Sequence, residues 1–330
     1  MDQLDTSTTV DYDLENSSMT YMPPCDLTDI SKFSRHLLPP FYIAIFIISL
    51  LGNGLVLYIL FKFEKISTVT NVFLINLVAS DLIFTVGLPF HAVYHSSEWS
   101  FGKMGCKLMN GTYHLGFYSS VLFLTLLTFD RYLAVVHAVA AEKWRQSCYA
   151  YISATVVWFV CCLTSLETFL NYDIAEDIIQ GLTCTYMSDP EQKIMGNYFQ
   201  FALFFIFPLV VVLYCYIRIF LRVLSTRMRS KQRPLKLIFV IVVLFFMCWT
   251  PYNVILLLTE IDNRDPCDYS LVYLQYVTHS IANLYFCINP MFYTFLGRKF
   301  QNHVRRLLVD EIPCLKNHLH VSENSRSFSR

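Results

Sequence analysis

The chain has 330 residues, 55% of them hydrophobic and 15% charged, and its 25 basic residues balance 25 acidic ones. Soluble domains carry about 25% charged residues, so the composition excludes a water-soluble globule. The apolar residues gather in seven blocks, residues 39–62, 70–94, 103–136, 148–170, 197–224, 234–259 and 271–296. Each is long enough to cross a hydrocarbon core of about 30 Å, which takes about 20 helical residues. Bare backbone amides are not tolerated in lipid, so the spans are expected to be α-helices. The expected fold class is an all-α membrane protein, a seven-transmembrane helix bundle with a short amphipathic interfacial helix after span seven. The chain divides into an acidic N-terminal segment (1–38), the bundle (39–296), the interfacial helix (297–309) and a tail (310–330), which leaves no room for a second domain.

Residues 1–38 are rich in Asp, Ser and Thr and hold no basic stretch followed by an apolar core, so span one is expected to act as its own insertion signal. Lys62 and Lys65 follow span one, Lys143 and Arg145 follow span three, and Arg222, Arg227, Arg229, Lys231 and Arg233 lie between spans five and six. Those loops then face the cytoplasm, and the N-terminus faces outward. Arg298, Lys299, Arg305 and Arg306 after span seven agree. Acids collect on the outer side: Asp11, Asp13 and Glu15 in the N-terminal segment, Asp173, Glu176 and Asp177 after span four, and Glu260, Asp262, Asp265 and Asp268 after span six. An acidic mouth attracts basic partners and speeds their encounter; a merely solvated, glycosylated surface is the plainer reading. Asn16-Ser17-Ser18 is an exposed glycosylation sequon, whereas Asn110-Gly111-Thr112 lies too close to a span.

Of eleven cysteines, Cys25, Cys106, Cys184 and Cys267 fall on the outer, oxidising side. Three pairings are possible in principle. Cys106 opens span three and Cys184 follows span four, so they are natural neighbours, and Cys25–Cys267 would join the N-terminal segment to the third outer loop. Cys161, Cys162, Cys215, Cys248 and Cys287 read as small packing residues.

Ionisable groups inside a span are costly and functional by default. Asp81 lies deep in span two, at a depth comparable with Asn53, Ser120 and Asn289. A carboxylate with hydroxyl and amide oxygens can hold a small cation such as Na⁺, or a water network with no ion. Pro208, Pro251 and Pro290 interrupt spans five, six and seven and suggest hinges. Trp249 stands just before the second of these. Asp130 and Arg131 end span three. A snorkelling arginine is the plain reading, but together with Asp81, CWTPY (248–252) and NPMFY (289–293) the pair points to a bundle with two states. In the stretch after span seven, Phe300, Val304, Leu307 and Leu308 share one face of an interfacial helix. Cys314 is a candidate palmitoylation site, and Ser322, Ser325, Ser327 and Ser329 suit phosphorylation.

Asn53, Asp81, Asp130-Arg131-Tyr132, Trp158, Pro208 with Tyr216, Cys248-Trp249-Thr250-Pro251 and Asn289-Pro290-Met291-Phe292-Tyr293 together resemble the landmarks of the rhodopsin-like G-protein-coupled receptors. DRYLAVVHA, the four outer cysteines and Asp11-Tyr12-Asp13 look like a chemokine receptor, and TNVFLINLVASDLIF (70–84) and LKLIFVIVVLFFMCWTPYN (235–253) look most like the lymphotactin (XC) type, with the CC type second. The resemblance implies a basic chemokine ligand, heterotrimeric G protein as transducer, arrestin and receptor kinases at the tail, membrane lipids around the bundle, and no nucleic acid. It implies a plasma-membrane location, sulfation of Tyr12 and no cofactor beyond a sodium ion as allosteric modulator. It places Asp11, Tyr12, Asp13, Glu15, Tyr42, His91, Tyr94, Tyr113, Tyr252 and His279 at the ligand, and Asp81, Ser120 and Asn289 at the sodium. G-protein coupling and switching fall to Asp130, Arg131, Tyr132, Tyr216, Trp249, Asn289, Pro290 and Tyr293. The chain departs from the family at Gly87 before Pro89, at His279, where a glutamate is usual, and at Tyr285-Phe286-Cys287.

A transporter would be expected to show internal repeats, and an enzyme a nucleophile, acid–base pair or metal cluster; neither pattern is present. A scavenging receptor without signalling commonly has an altered triplet, and DRY is intact here. A peptide receptor of the same fold is disfavoured by the Cys25/Cys267 pair and the acidic N-terminus.

Overall fold

The computed structural model describes residues 28–138, 146–177, 181–226, 232–261, 270–296 and 298–311. Among them seven long helical segments coincide with the apolar blocks. Span one is Thr28–Phe63, span two Val69–Ser96, span three Gly102–Val136 and span four Ser147–Asn171. Span five runs from Pro190–Phe201 through Ala202–Ile206 into Phe207–Thr226; span six is Gln232–Ile261 and span seven Ser270–Leu296. A further helix, Arg298–Glu311, follows, with Phe300 and Leu307 buried on its apolar face.

Among the described residues, six of the spans are long and apolar enough to cross a membrane by length and composition. Span seven, at 27 residues, is equally long but carries Thr278, His279, Ser280, Asn283 and Asn289. Thr278, Asn283 and Asn289 are buried, so its polarity is turned toward the other helices rather than toward lipid. Elsewhere the outside is apolar: Leu51, Phe61, Phe159, Leu170, Val210 and Phe220 are all exposed. A lipid solvent permits that arrangement; water would not.

Span three is the axis and packs on spans two, four, five and six, while span one packs on spans two and seven, and span six on seven. Phe205 meets Phe246, and Tyr216 meets Phe239, edge to face between spans five and six. Gly116 lets spans two and three come close: a Cβ there would lie 2.6 Å from the backbone nitrogen of Phe84 on span two.

Three features differ from the sequence expectation. Span one begins at Thr28, well before residue 39, because Ser34 and Leu38 are buried and Phe33 meets Tyr273 of span seven at 5.4 Å. Pro39 and Pro40 therefore lie inside the helix. Span five contains a π turn at Ala202–Ile206. The wider turn lets the adjacent Phe204 and Phe205 both be buried, one stacked on Tyr118 at 3.9 Å and the other 5.5 Å from Phe246. π turns of this kind recur at functional sites. The loop after span four is a hairpin, β1 Tyr172–Asp177 antiparallel to β2 Gly181–Tyr186. Gly181 has φ of 74°, a left-handed conformation that favours glycine.

Candidate functional site

The hairpin closes one end of the bundle. A Cys106–Cys184 disulfide, with Cα atoms 5.6 Å apart, ties it to the start of span three. Trp99 N donates to the Leu182 carbonyl at 2.7 Å, Leu182 N donates to Glu98 at 3.1 Å, and Lys103 pairs with Asp173 at 2.6 Å. The Lys103 ammonium holds the Asp173 carboxyl below its usual range. Asn110 is buried and its amide donates to the Cys106 carbonyl and lies 3.2 Å from Cys184 Sγ, so it is a packing residue and not a glycosylation site.

Beneath the hairpin, Tyr42, His91, Tyr113, Tyr252 and His279 form one cluster. His279 is its hub: Tyr113 Oη lies 2.6 Å from Nε2 and Tyr42 Oη 3.4 Å from Nδ1. Tyr252 approaches the same ring at 5.1 Å, and His91 lies between Tyr42 (5.9 Å) and Tyr113 (5.7 Å). Tyr94 stands apart from this hub, packed near Trp99 and the disulfide. His95, not anticipated from the sequence, joins the two groups by stacking on Tyr42 at 5.6 Å and meeting Tyr94 at 5.9 Å. Its signal was present: His91, Tyr94 and His95 are spaced i, i+3, i+4 and share a face. A second group was also missed. His114 meets Tyr118, whose hydroxyl donates to Gln200 at 3.1 Å. At the rim, Glu167 accepts from Asn171 and from the Tyr186 hydroxyl, and Glu260 accepts from Asn197 at 2.8 Å.

Rings lead from this cluster into the core. Tyr113 meets Phe84 at 4.9 Å, Phe84 stacks on Phe286 at 3.7 Å, and Phe286 meets Trp249 edge-on at 6.1 Å. Trp249 is buried and stacked on Phe117 at 4.1 Å. Pro290 has no N–H, so the Phe286 carbonyl one turn before it lacks its helical donor. Asn53 Nδ2 (3.1 Å) and Ser49 Oγ (3.2 Å) donate to that oxygen instead. The asparagine of span one and the proline of span seven are thus two halves of one contact.

Asp81 is fully buried and accepts from Ser120 at 2.8 Å and from Asn289 at 3.0 Å. The amide oxygens of Asn289 and Asn53 are buried without a hydrogen-bond partner. A carboxylate, a hydroxyl and amide oxygens are hard donors suited to an alkali cation, and the unpartnered Asn289 oxygen is an acceptor that a cation would satisfy. The residues present fit sodium.

At the other end, Asp130 is buried. Thr70 Oγ1 donates to its carboxylate at 2.9 Å and accepts from Arg131 at 2.7 Å, and Arg131 lies 3.8 Å from the same carboxylate. Span two therefore holds both charged residues of the triplet. Tyr132 Oη lies 2.9 Å from His137, and Tyr216 packs beside Tyr132 and Val135. His303 of the last helix lies 3.1 Å from Glu64 and stacks on Phe63 at 4.8 Å. Tyr293 lies on span seven, but its side chain is not among the described ones. Asp11, Tyr12, Asp13, Glu15, Asn16, the Cys25–Cys267 pair, Cys314 and the tail serines lie outside the described residues.

A disulfide-capped seven-helix bundle, with an aromatic pocket at one end and a held Asp-Arg pair at the other, defines a membrane receptor. Residues 52–293 match the family 7 transmembrane receptor (rhodopsin family). The chain is 37% identical to C-C chemokine receptor type 3 of Cavia porcellus, over 87% of this chain and 83% of the relative. It is 33% identical to C-C chemokine receptor type 8 of Homo sapiens (94% and 92% covered) and 35% identical to the human C-C chemokine receptor type 4 (86% and 81%). The chain belongs to the chemokine receptors of the rhodopsin family, multi-pass proteins of the cell surface that are not enzymes. These relatives are of the CC type, the second of the two subtypes it resembles.

Proposed function

We propose that the chain, with its N-terminus outside, captures a basic chemokine on its acidic N-terminal segment and passes binding to a heterotrimeric G protein at the triplet end. The observation that carries this reading is the unbroken contact from His279 and Tyr113 through Phe84 and Phe286 to Trp249. A ligand segment entering among Tyr42, Tyr113 and Tyr252 would meet hydroxyls and imidazoles at the hub, and carboxylates such as Glu167 and Glu260 at the rim. Displacing the His279 hub would shift Phe286 and, with it, the Pro290 contact to span one. Movement of spans six and seven at Pro251 and Pro290 would then release Arg131 from Thr70 toward the G protein. Arrestin and receptor kinases would act at the same end.

Sodium, held by Asp81, Ser120 and Asn289, would supply a positive charge that balances the buried carboxylate. The state that holds it would be favoured, which opposes agonist.

The test is a pair of variants. Tyr12→Phe with Asp11→Asn and Asp13→Asn should lose affinity, and the salt dependence of that affinity, while keeping the maximal response at saturating ligand. Tyr113→Ala should lose response more than affinity. Equal loss of both properties in both variants would rule out this division.

A further inference from the structure

Asn283 of span seven is fully buried, and neither its amide nitrogen nor its amide oxygen has a hydrogen-bond partner among the described residues. Turning the amide over changes nothing, since both ends are unmet. It belongs to neither the His279 hub nor the oxygen cluster around Asp81. A buried amide with neither end paired destabilises the fold, so the position calls for a partner that the described residues do not supply. His279, Asn283 and Phe286 are spaced i, i+4, i+7 and share one stripe of the helix. The stripe faces inward, because His279 meets the Tyr113 hydroxyl at 2.6 Å and Phe286 stacks on Phe84 at 3.7 Å. Asn283 therefore stands one helical turn, about 5.4 Å, below the hub. Beneath it lies the ring layer of Phe84, Phe286 and Trp249. A segment that displaces the hub meets Asn283 next.

A carboxamide carries a donor and an acceptor side by side. A cation would pair only its oxygen, and a carboxylate only its nitrogen. In an extended peptide the N–H and C=O of one residue point to the same side, as in a hydrogen-bonded pair of antiparallel strands, and so match both ends at once. We propose that Asn283 is a main-chain anchor, its carboxamide taking the N–H and C=O of one residue in the extended chemokine segment that enters the pocket. The contact reads backbone and not side chain. It therefore fixes how deep the segment sits without selecting the residue at that position. The inference rests on the pocket entry proposed above and deepens it.

The probe is the basic chemokine of highest affinity in a binding screen on the full-length receptor. It is synthesised as a series in which each N-terminal peptide N–H in turn is replaced by an ester oxygen, which removes the donor and keeps the shape. Against wild type, one position in the series should lose roughly five- to tenfold in affinity. Against Asn283→Leu, which keeps the branched shape of the side chain, the unmodified chemokine should lose about tenfold. There the sensitive ester should cost nothing further, since its partner is already gone. The Tm of Asn283→Leu in detergent should stay level or rise, because an unpaired amide has been removed. Asn283→Ala, which adds no bulk, repeats the comparison where leucine crowds the helix. Ester penalties that are identical in wild type and both variants would overturn the proposal and leave capture and pocket entry standing. A lower Tm in both variants with unchanged affinity would assign the amide to internal water, and also overturns it. If no basic chemokine binds, the proposed function and this inference fall together.

Discussion

Tyr113 of span three and His279 of span seven meet at 2.6 Å, and Tyr42 of span one approaches the other nitrogen of the same ring at 3.4 Å. A neutral imidazole has one donor and one acceptor nitrogen, so a single ring serves two hydroxyls and joins three helices.

Removing one hydroxyl leaves a buried nitrogen unpaired, at a cost of about 1–2 kcal/mol, or roughly five- to thirtyfold. Because ligand must displace this hub, Tyr113→Phe, which keeps the ring and removes only the bond, is expected to lower the ligand concentration for half-maximal response by about that factor, measured beside equilibrium binding on the same membranes. An unchanged response would remove His279 from the transmission route.

Spans two and three touch at Gly116, where a Cβ would lie 2.6 Å from the Phe84 nitrogen; at Gly54 a Cβ would meet nothing within 4 Å. Gly116→Ala is expected to cost about 1–3 kcal/mol by overpacking, seen as a lower Tm in detergent. Gly54→Ala should leave Tm level or slightly raised. The reverse order would contradict the packing described.

Thr70 bonds both Asp130 and Arg131. Thr70→Val should raise ligand-independent nucleotide exchange several-fold, since bonds between helices in membranes contribute about 0.6–1.7 kcal/mol each. Basal exchange equal to wild type would show that Thr70 does not restrain the pair.

Asp81→Asn should abolish the effect of sodium on agonist affinity. The comparison is agonist binding in sodium against a bulky organic cation. If the wild type shows no difference between them, the oxygen cluster holds water and no ion.

Much of this was legible in the residues. Seven apolar blocks located the spans because lipid forces long apolar helices, and Asp81, Ser120 and Asn289 at matching depth do meet. Cys106 and Cys184 were brought together by the order of spans three and four. Other features carry no such signal. The start of span one depends on Ser34 and Leu38 being buried by its neighbours, whereas the apolar block alone placed it at residue 39. The π turn breaks the 3.6-residue period by which helices are read, and is visible only once Phe204 and Phe205 both face inward. The pairing of Asn53 with the carbonyl that Pro290 leaves open, like the hold of Thr70 on Arg131, is set by helix packing and not by sequence separation. Tyr94, placed at the ligand by resemblance, packs near Trp99 and Cys184 and reaches the His279 cluster through His95.

Nucleotide exchange by a purified heterotrimeric G protein, on membranes holding this receptor and challenged with a panel of basic chemokines, reads the whole route from pocket to triplet in one assay. At least one chemokine is expected to bind and to accelerate exchange, while Arg131→Ala binds the same chemokine and gives no acceleration. A chemokine that binds the wild-type receptor tightly and leaves exchange at its basal rate would contradict a signalling receptor.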